Sequence, residues 1–292
     1  MQTEERWKNF LTRDDGNPVA LARFLDVTNV DLGRAWVDAS RHWIEDVGGQ
    51  RIYVGDLDVV PGRSALSFNR LLVEEYPSRE AAIEVLSRSS SREEIGLRDR
   101  LVLALNPRSR SSRRLTALVG KIVRGIRPIR VEEVPEAKYP KGVSSGGRSS
   151  DEAQVEAFYA RDQWQRFTMV NLNGMRETAQ YPVAESSSRS NHASGREAYG
   201  RYARNTAIEV FRRGGNFLWV AKPMTVLVGD SDHPLGRHWS EFVLVGWPSR
   251  MAFRHLIADD SFTRGVVHRD AGLDRSIAIP GTPWPEFSRY SL

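Results

Sequence analysis

Arg70-Leu71-Leu72-Val73-Glu74-Glu75-Tyr76-Pro77-Ser78-Arg79 and Glu241-Phe242-Val243-Leu244-Val245-Gly246-Trp247-Pro248-Ser249-Arg250 share one pattern, a strand-like run closed by Pro-Ser-Arg. Proline lacks the N–H that a continuing ladder needs, and serine is a natural N-cap, so each stretch reads as a strand that turns directly into a helix. The match extends outward. Gly48-Gly49 precedes the first copy and Gly214-Gly215 the second, while Asp99-Arg100 and Asp274-Arg275 follow them. One architectural unit is written twice.

In the first copy, residues 18–27 read as a strand. Trp36, Ser40, Trp43, Ile44 and Val47 recur at helical spacing up to Gly48-Gly49, where glycine can take the left-handed cap. Ile52-Tyr53-Val54 opens a second strand that could extend to Val60, with a turn at Pro61-Gly62. Residues 68–76 form the third strand, and Ser78 caps a helix carrying Ala81, Ala82, Val85 and Leu86. Leu101 to Leu105 is the fourth strand, ended by Asn106-Pro107. The order is βαββαβ.

The second copy runs in parallel. Residues 167–172 are a strand, and Tyr199, Tyr202, Ala203, Thr206 and Val210 mark one face of a helix ending at Gly214-Gly215. Residues 217–228 form a strand whose Pro223 implies an edge or a bulge. A longer turn, residues 229–236, leads to a strand from His238 to Trp247. Ser249 caps a helix with Ala252, Phe253, Leu256 and Ile257, and Ser276 to Ile279 closes the copy.

A βαββαβ unit makes one antiparallel sheet with both helices on one face. The succession of strand, glycine pair, strand and strand-Pro-Ser-Arg-helix resembles the small DUF1330-type members of the dimeric α+β barrel superfamily. The resemblance implies two ferredoxin-like repeats packed as an intramolecular α+β barrel, both halves of the usual dimer in one polypeptide. The expected organisation is a first repeat at 1–107, an Arg/Ser/Gly-rich linker at 108–163 and a second repeat at 164–292. Within the linker, Leu115 to Ile126 could form a helix or strand, and Tyr139 to Ser150 is rich in glycine and serine.

Composition narrows the function classes. At 292 residues, with 40% hydrophobic and 27% charged residues, the chain can bury two cores. No apolar run reaches the roughly 18 to 20 residues that span a bilayer, and the start lacks the pattern of a signal peptide, so a cytoplasmic address and no membrane partner are expected. Zero cysteine excludes disulfides, thiolate nucleophiles and thiolate metal sites. The net charge of +5 is carried mainly by arginine, crowded at Arg108, Arg110, Arg113, Arg114, Lys121, Arg124, Arg127 and Arg130. The excess is partly local, and a scarcity of lysine beside abundant arginine also follows from a GC-rich genome, so nucleic acid is not the expected partner.

No phosphate-cradling glycine loop, dinucleotide fingerprint or zinc-protease helix is present, so no cofactor and no metal are expected. Gly142-Val143-Ser144-Ser145-Gly146 fits G-x-S-x-G, but lacks the flanking strand and helix of a nucleophile elbow. The densest polar group is Asp230, Asp232, His233, Arg237 and His238 on the turn that only the second copy has. Imidazole beside carboxylate can act as a base with its orienter or as an N/O metal site, and the same composition also suits an ordinary solvated hairpin. His255 and Asp259 stand four apart on one helix face, a surface hydrogen bond in the plain reading, and His42, His192 and His268 have no evident partner. Asn171 and Asp26 are polar residues in apolar strands, and the repeated Asp-Arg pairs read as structural ion pairs. Aromatics concentrate in the second copy, where Trp219, Trp239 and Tyr199 could line a cavity for a flat ligand.

The resemblance further implies a small-molecule site, since relatives include cofactor-independent isomerases, cyclases and monooxygenases as well as haem-bound members. The expected function is a cofactor-independent enzyme, an isomerase, cyclase, monooxygenase or hydrolase, acting on a small aromatic or polyketide-like substrate. Its acid/base groups would be His238, His233 and Asp232, with Arg237, Asn171, Trp219, Trp239 and Tyr199 binding substrate. The alternative is a non-catalytic subunit that docks onto a separate catalytic chain as part of a hetero-oligomer.

Overall fold

The computed structural model describes residues 2–13, 16–58, 68–90, 97–134, 157–182 and 193–288. The turn at Pro61-Gly62, the segment 139–150 with its G-x-S-x-G match, and His192 lie outside the described residues. The elements are α1 (Gln2–Leu11), β1 (Val19–Val27), α2 (Val30–Asp46), β2 (Gln50–Leu57), β3 (Arg70–Tyr76), α3 (Arg79–Ser90), β4 (Leu97–Pro107) and α4 (Arg110–Ile126). Then follow β5 (Phe167–Met175), α5 (Gly195–Arg212), β6 (Asn216–Val228), β7 (Glu241–Trp247), α6 (Arg250–Ile257), α7 (Asp260–Gly272) and β8 (Leu273–Pro283). The class is α+β, with antiparallel ladders. No helix among the described residues is long and apolar enough to cross a membrane.

The chain forms two compact units. The first comprises Met1–Arg108 with Ala221–His238 and Gly281–Phe287. In it β1 is central, pairing β3 from Val19↔Tyr76 to Leu25↔Arg70 and β4 from Ala20↔Leu105 onward. β3 also pairs β2, β2 takes the end of β8 at Gly55↔Pro283, and β4 takes the second half of β6. The β4–β6 register shifts between Ala104 and Leu105, beside Pro223, so the proline marks a bulge. Alternation along β1 sends Val19 and Leu21 toward a layer shared with Trp43 and Ile44 of α2, Val85 and Leu86 of α3, and Phe10 of α1.

That layer also holds charge. Arg23 Nε lies 2.8 Å from Glu74 Oε2, Arg51 Nη2 lies 3.2 Å from Glu74 Oε1, and the Tyr76 hydroxyl donates to Glu74 Oε2 at 2.8 Å. Arg51 also donates to Ser40 Oγ and to the Val37 carbonyl, both at 2.7 Å, and these bonds tie β2 to α2. With partners on every side, the group reads as structural: a buried carboxylate is tolerable when opposite charge and hydrogen bonds surround it.

The second unit comprises Ser109–Val220, Trp239–Pro280 and Ser288–Leu292. β5 pairs β7 from Phe167↔Trp247 to Asn173↔Glu241. Phe167, Met169, Val243, Val245 and Trp247 pack with Val210 of α5 and with Ala252 and Leu256 of α6. α5 begins with a capping box, Ser194 and Glu197 each bonding the other's backbone N–H. α5 and α7 approach backbone to backbone: a Cβ on Gly195 would stand 2.6 Å from the Gly272 carbonyl oxygen, so only glycine fits.

The repeated sequence marks recur as repeated contacts. Gly48 has φ 73° and Gly214 φ 81°, each just past a helix, and each faces the proline of its own Pro-Ser-Arg, Pro77 or Pro248. Two expectations are corrected. α1 and α7 are additional helices, and the strand expected from His238 begins at Glu241, because residues 234–236 form a 3-10 turn. The segment Leu115 to Ile126, expected as a helix or strand, is helical within α4.

Candidate functional site

The inserted turn of the second copy holds its polar groups in local structure. The Asp232 N–H donates to Asp230 Oδ1 at 2.8 Å, and the Leu235 N–H donates to His233 Nδ1 at 3.2 Å, so His233 caps the 3-10 turn. The His233 ring stands edge-on to Phe68 with centroids 4.9 Å apart. Asp232, Arg237 and His238 are exposed. These residues therefore share one turn, and no group of three or more His, Asp or Glu among the described residues is placed to hold a metal.

The other expected binding residues lie within the second unit. Asn171 is half-buried and its Nδ2 donates to the Met169 carbonyl at 3.2 Å, a local strand bond. Trp219 is buried, edge-on to Phe242, and its indole Nε1–H has no acceptor among the described residues. Trp239 is buried beneath the Arg275 guanidinium, 5.2 Å from the ring centroid. Tyr199 belongs to a hydrogen-bond chain: Asn173 Nδ2 donates to the Tyr199 hydroxyl at 2.9 Å, and the Ser276 hydroxyl donates to Asn173 Oδ1 at 3.1 Å. Burial, followed by the Glu241 charge, raises the Tyr199 pKa far above the ordinary phenol value, so the ring is locked as a neutral phenol.

Several of the other histidines and acids have structural partners. Arg213, its side chain fully buried, donates to His255 Nδ1 at 3.0 Å, to Asp259 Oδ2 at 2.6 Å and to Glu209 Oε2 at 2.6 Å. It bridges His255 on α6 and Asp259, which caps the start of α7, so the helix face expected to carry both residues is broken at Ala258. Burial and then the adjacent guanidinium lower the His255 pKa and favour neutral imidazole. His268 Nδ1 is 2.9 Å from the Tyr181 hydroxyl. Asp26 pairs with Arg98 at 3.5 Å, and Asp274 pairs with Arg275 at 3.1 Å.

An opening lined by convergent charge lies in the first unit. Arg6, Asn9, Phe10 and Arg13 come from α1 and the residues just after it, Arg79 from the start of α3, and Met224 and Thr225 from β6. They surround a recess of about 220 Å³. The spacing 6, 9, 10 places Arg6, Asn9 and Phe10 on one face of α1, and Arg13 follows in the turn beyond Leu11. Arg79 is only 5% exposed, donates from Nη1 to the Phe10 carbonyl at 2.8 Å and lies over the Phe10 ring at 5.0 Å. Arg6 donates to the Gly229 carbonyl at 2.8 Å, and Trp7 Nε1 to the Leu227 carbonyl at 3.2 Å, which anchors α1 along β6. Three arginines thus line one recess together with Phe10 and Met224. Among the described residues the lining supplies no carboxylate, imidazole or thiol.

The recess draws on residues that precede the first repeated strand, so the repeat pattern does not reveal it. Its signal was the i, i+3, i+4, i+7 spacing of Arg6, Asn9, Phe10 and Arg13, together with Arg79 in the repeated Pro-Ser-Arg. The equivalent Arg250 is fully buried over the rings of Phe158 and Phe167, at 5.4 and 5.3 Å, and donates to Gln165 Oε1 at 3.3 Å. The same residue of the motif is thus enclosed in one unit and lines an opening in the other.

No family model and no curated protein matches the chain. Among solved structures, the chain is similar to a protein of unknown function from Rhodopseudomonas palustris, with 28% identity over 48% of this chain and 98% of that chain, at a TM-score of 0.41. It is also similar to an anthrone oxidase-like protein, with 9% identity over 92% of each chain and a TM-score of 0.42. A variant of chlorite dismutase from Candidatus Nitrospira defluvii shares 9% identity over 97% of each chain, with a TM-score of 0.46. With scores this low, the fold assignment rests on the chain's own strand ladders.

Proposed function

We propose that this chain is a small-molecule-binding α+β protein of two ferredoxin-like repeats, and that its ligand is a small organic anion with an apolar body. The observation that carries the reading is the recess, where Arg6, Arg13 and Arg79 converge over Phe10 and Met224. A carboxylate or phosphate would take charge-assisted hydrogen bonds from the guanidiniums while its apolar part rests on the ring and thioether. A lining without acid/base or nucleophilic groups favours binding over turnover at this place, in keeping with an accessory subunit that serves a separate catalytic chain. The matching Gly48–Pro77 and Gly214–Pro248 contacts support the tandem, DUF1330-like organisation.

A second reading keeps an aromatic substrate in the second repeat, and what favours it is the buried Trp219 Nε1–H and Thr168 hydroxyl, both without partners among the described residues. Orphaned buried donors invite an acceptor from a ligand.

Calorimetric titration of the full chain with benzoate and with inorganic phosphate tests both. The first reading expects benzoate binding that weakens about 10-fold or more in Arg6→Gln and in Arg13→Gln, the loss of one charge-assisted hydrogen bond. Binding that survives both substitutions but is lost in Trp219→Phe transfers the site to the second repeat. Absence of binding to either anion removes the recess as a ligand site.

A further inference from the structure

α4 is built the wrong way round for a helix that only packs. Its buried side is centred on Gly120, where a Cβ would stand 2.8 Å from the Phe211 ring of α5. Thr116, Ala117 and Val123 flank that contact, half-buried. Leu115, Leu118, Val119, Ile122 and Ile126 recur at i, i+3, i+4, i+7 and i+11, and so form one stripe that turns away from α5. They are 42 to 70% exposed, Ile126 the most. An ordinary amphipathic helix buries this stripe and exposes its charges.

The charges point to what covers it. From Arg108 to Arg130 every charged residue is basic, and Arg110, Arg114, Lys121 and Arg127 are exposed along the length of the helix. We propose that α4 lies flat on an anionic lipid surface, its aliphatic stripe in the acyl boundary and its arginines and lysine at the headgroups. A 17-residue helix offers a ridge about 25 Å long, enough to lie in the interface plane without spanning it. A second copy would bring the same basic helix and no acid to meet it, so like charges oppose pairing through this face. A protein anchor is typically an aromatic or arginine seated in a pocket. This ridge is five aliphatic chains without an aromatic among them, which suits a fluid boundary better than a shaped groove.

Flotation of the full chain with vesicles separates these outcomes. With about one third phosphatidylglycerol in phosphatidylcholine, the chain floats at low salt, releases as salt rises through about 0.1 M, and ignores phosphatidylcholine alone. Ile122→Asp lowers the partition coefficient at least about 10-fold by removing a buried aliphatic group. Arg114→Gln and Lys121→Gln each lower it about 5-fold. All three positions are exposed, so circular dichroism and the melting temperature stay unchanged. Equal binding to neutral vesicles, no flotation with anionic ones, or insensitivity to Ile122→Asp overturns the proposal. Self-association in sedimentation, or capture of an acidic protein, that Ile122→Asp abolishes while flotation is absent gives the face to a protein and overturns it equally.

Discussion

At full burial the Glu74 carboxylate loses its hydration, which by itself would raise its pKa, yet its value is lowered. Arg23 and Arg51 outweigh the desolvation, helped by the hydrogen bonds from Tyr76 and Arg51. The sign for stability follows. A carboxylate whose folded pKa lies below its ordinary 4.5 contributes stability that is fully present above pH 4.5 and is lost as pH falls through the lower folded value. Glu74→Gln leaves two buried guanidiniums without their counter-charge, and about 3–5 kcal/mol is expected to be lost at pH 7. The gap from wild type narrows as pH falls below 4.5, because Glu74 then binds a proton in the unfolded chain while the folded protein still holds it ionised. Urea denaturation of both proteins at pH 7 and at about pH 3.5 measures this, and a gap that stays constant assigns the acid limb to other carboxylates. In the sequence Glu74 is one of two adjacent glutamates in a strand-like run, and nothing local marks it as the buried one that meets Arg23 and Arg51. Asn171 and Asn173 teach the same lesson, since both sit on β5 and the tertiary register, not spacing, decides that Asn173 meets Tyr199.

At the scale of elements, the strand-Pro-Ser-Arg-helix pattern was readable because its physics is local: proline ends a ladder, serine caps a turn and glycine closes a helix. Gly48 and Gly214 show how far that goes. Both have positive φ, so alanine at either position costs about 1–2 kcal/mol in backbone strain. Surroundings then separate them. A Cβ at Gly48 would lie an ordinary 3.8 Å from Pro77 Cγ, whereas at Gly214 it would lie 3.2 Å from Pro248 Cγ. Gly214→Ala is therefore expected to lower the denaturation midpoint more than Gly48→Ala, and equal losses would show that Pro248 yields freely. α1 and α7 were not readable in this way. The apolar residues of α1, Trp7 and Phe10, pack into a layer whose partners include Leu227 and Val228, more than 200 positions on. α7 starts at Asp260, immediately after the Ala258-Asp259 break that ends α6, where polar residues resemble a loop.

For the molecule as a whole, the first unit cannot be cut from the chain as one continuous piece. β4 is paired along Val102 to Pro107 by β6, β2 takes its second partner from Gly281 to Pro283, and Trp284 and Phe287 close a core with Leu25, Val54 and Leu72. Repeats suggest separable domains because self-similarity is what a sequence displays. The pairing of strands across long separations is what it does not display, since no periodicity records it. A fragment of residues 1–108 would expose the β4 edge, with Leu101, Leu103 and Leu105 on that strand, and would lack Leu227, Val228, Trp284 and Phe287. An uncovered apolar edge is a template for aggregation. The fragment is expected to bind a hydrophobic dye and to melt without a cooperative transition, while the full chain shows one. A sigmoidal unfolding curve from the fragment, with a near-ultraviolet dichroism spectrum like that of the folded aromatics, would mean that Val19, Leu21, Trp43, Ile44 and Leu86 hold the sheet without β6 and β8.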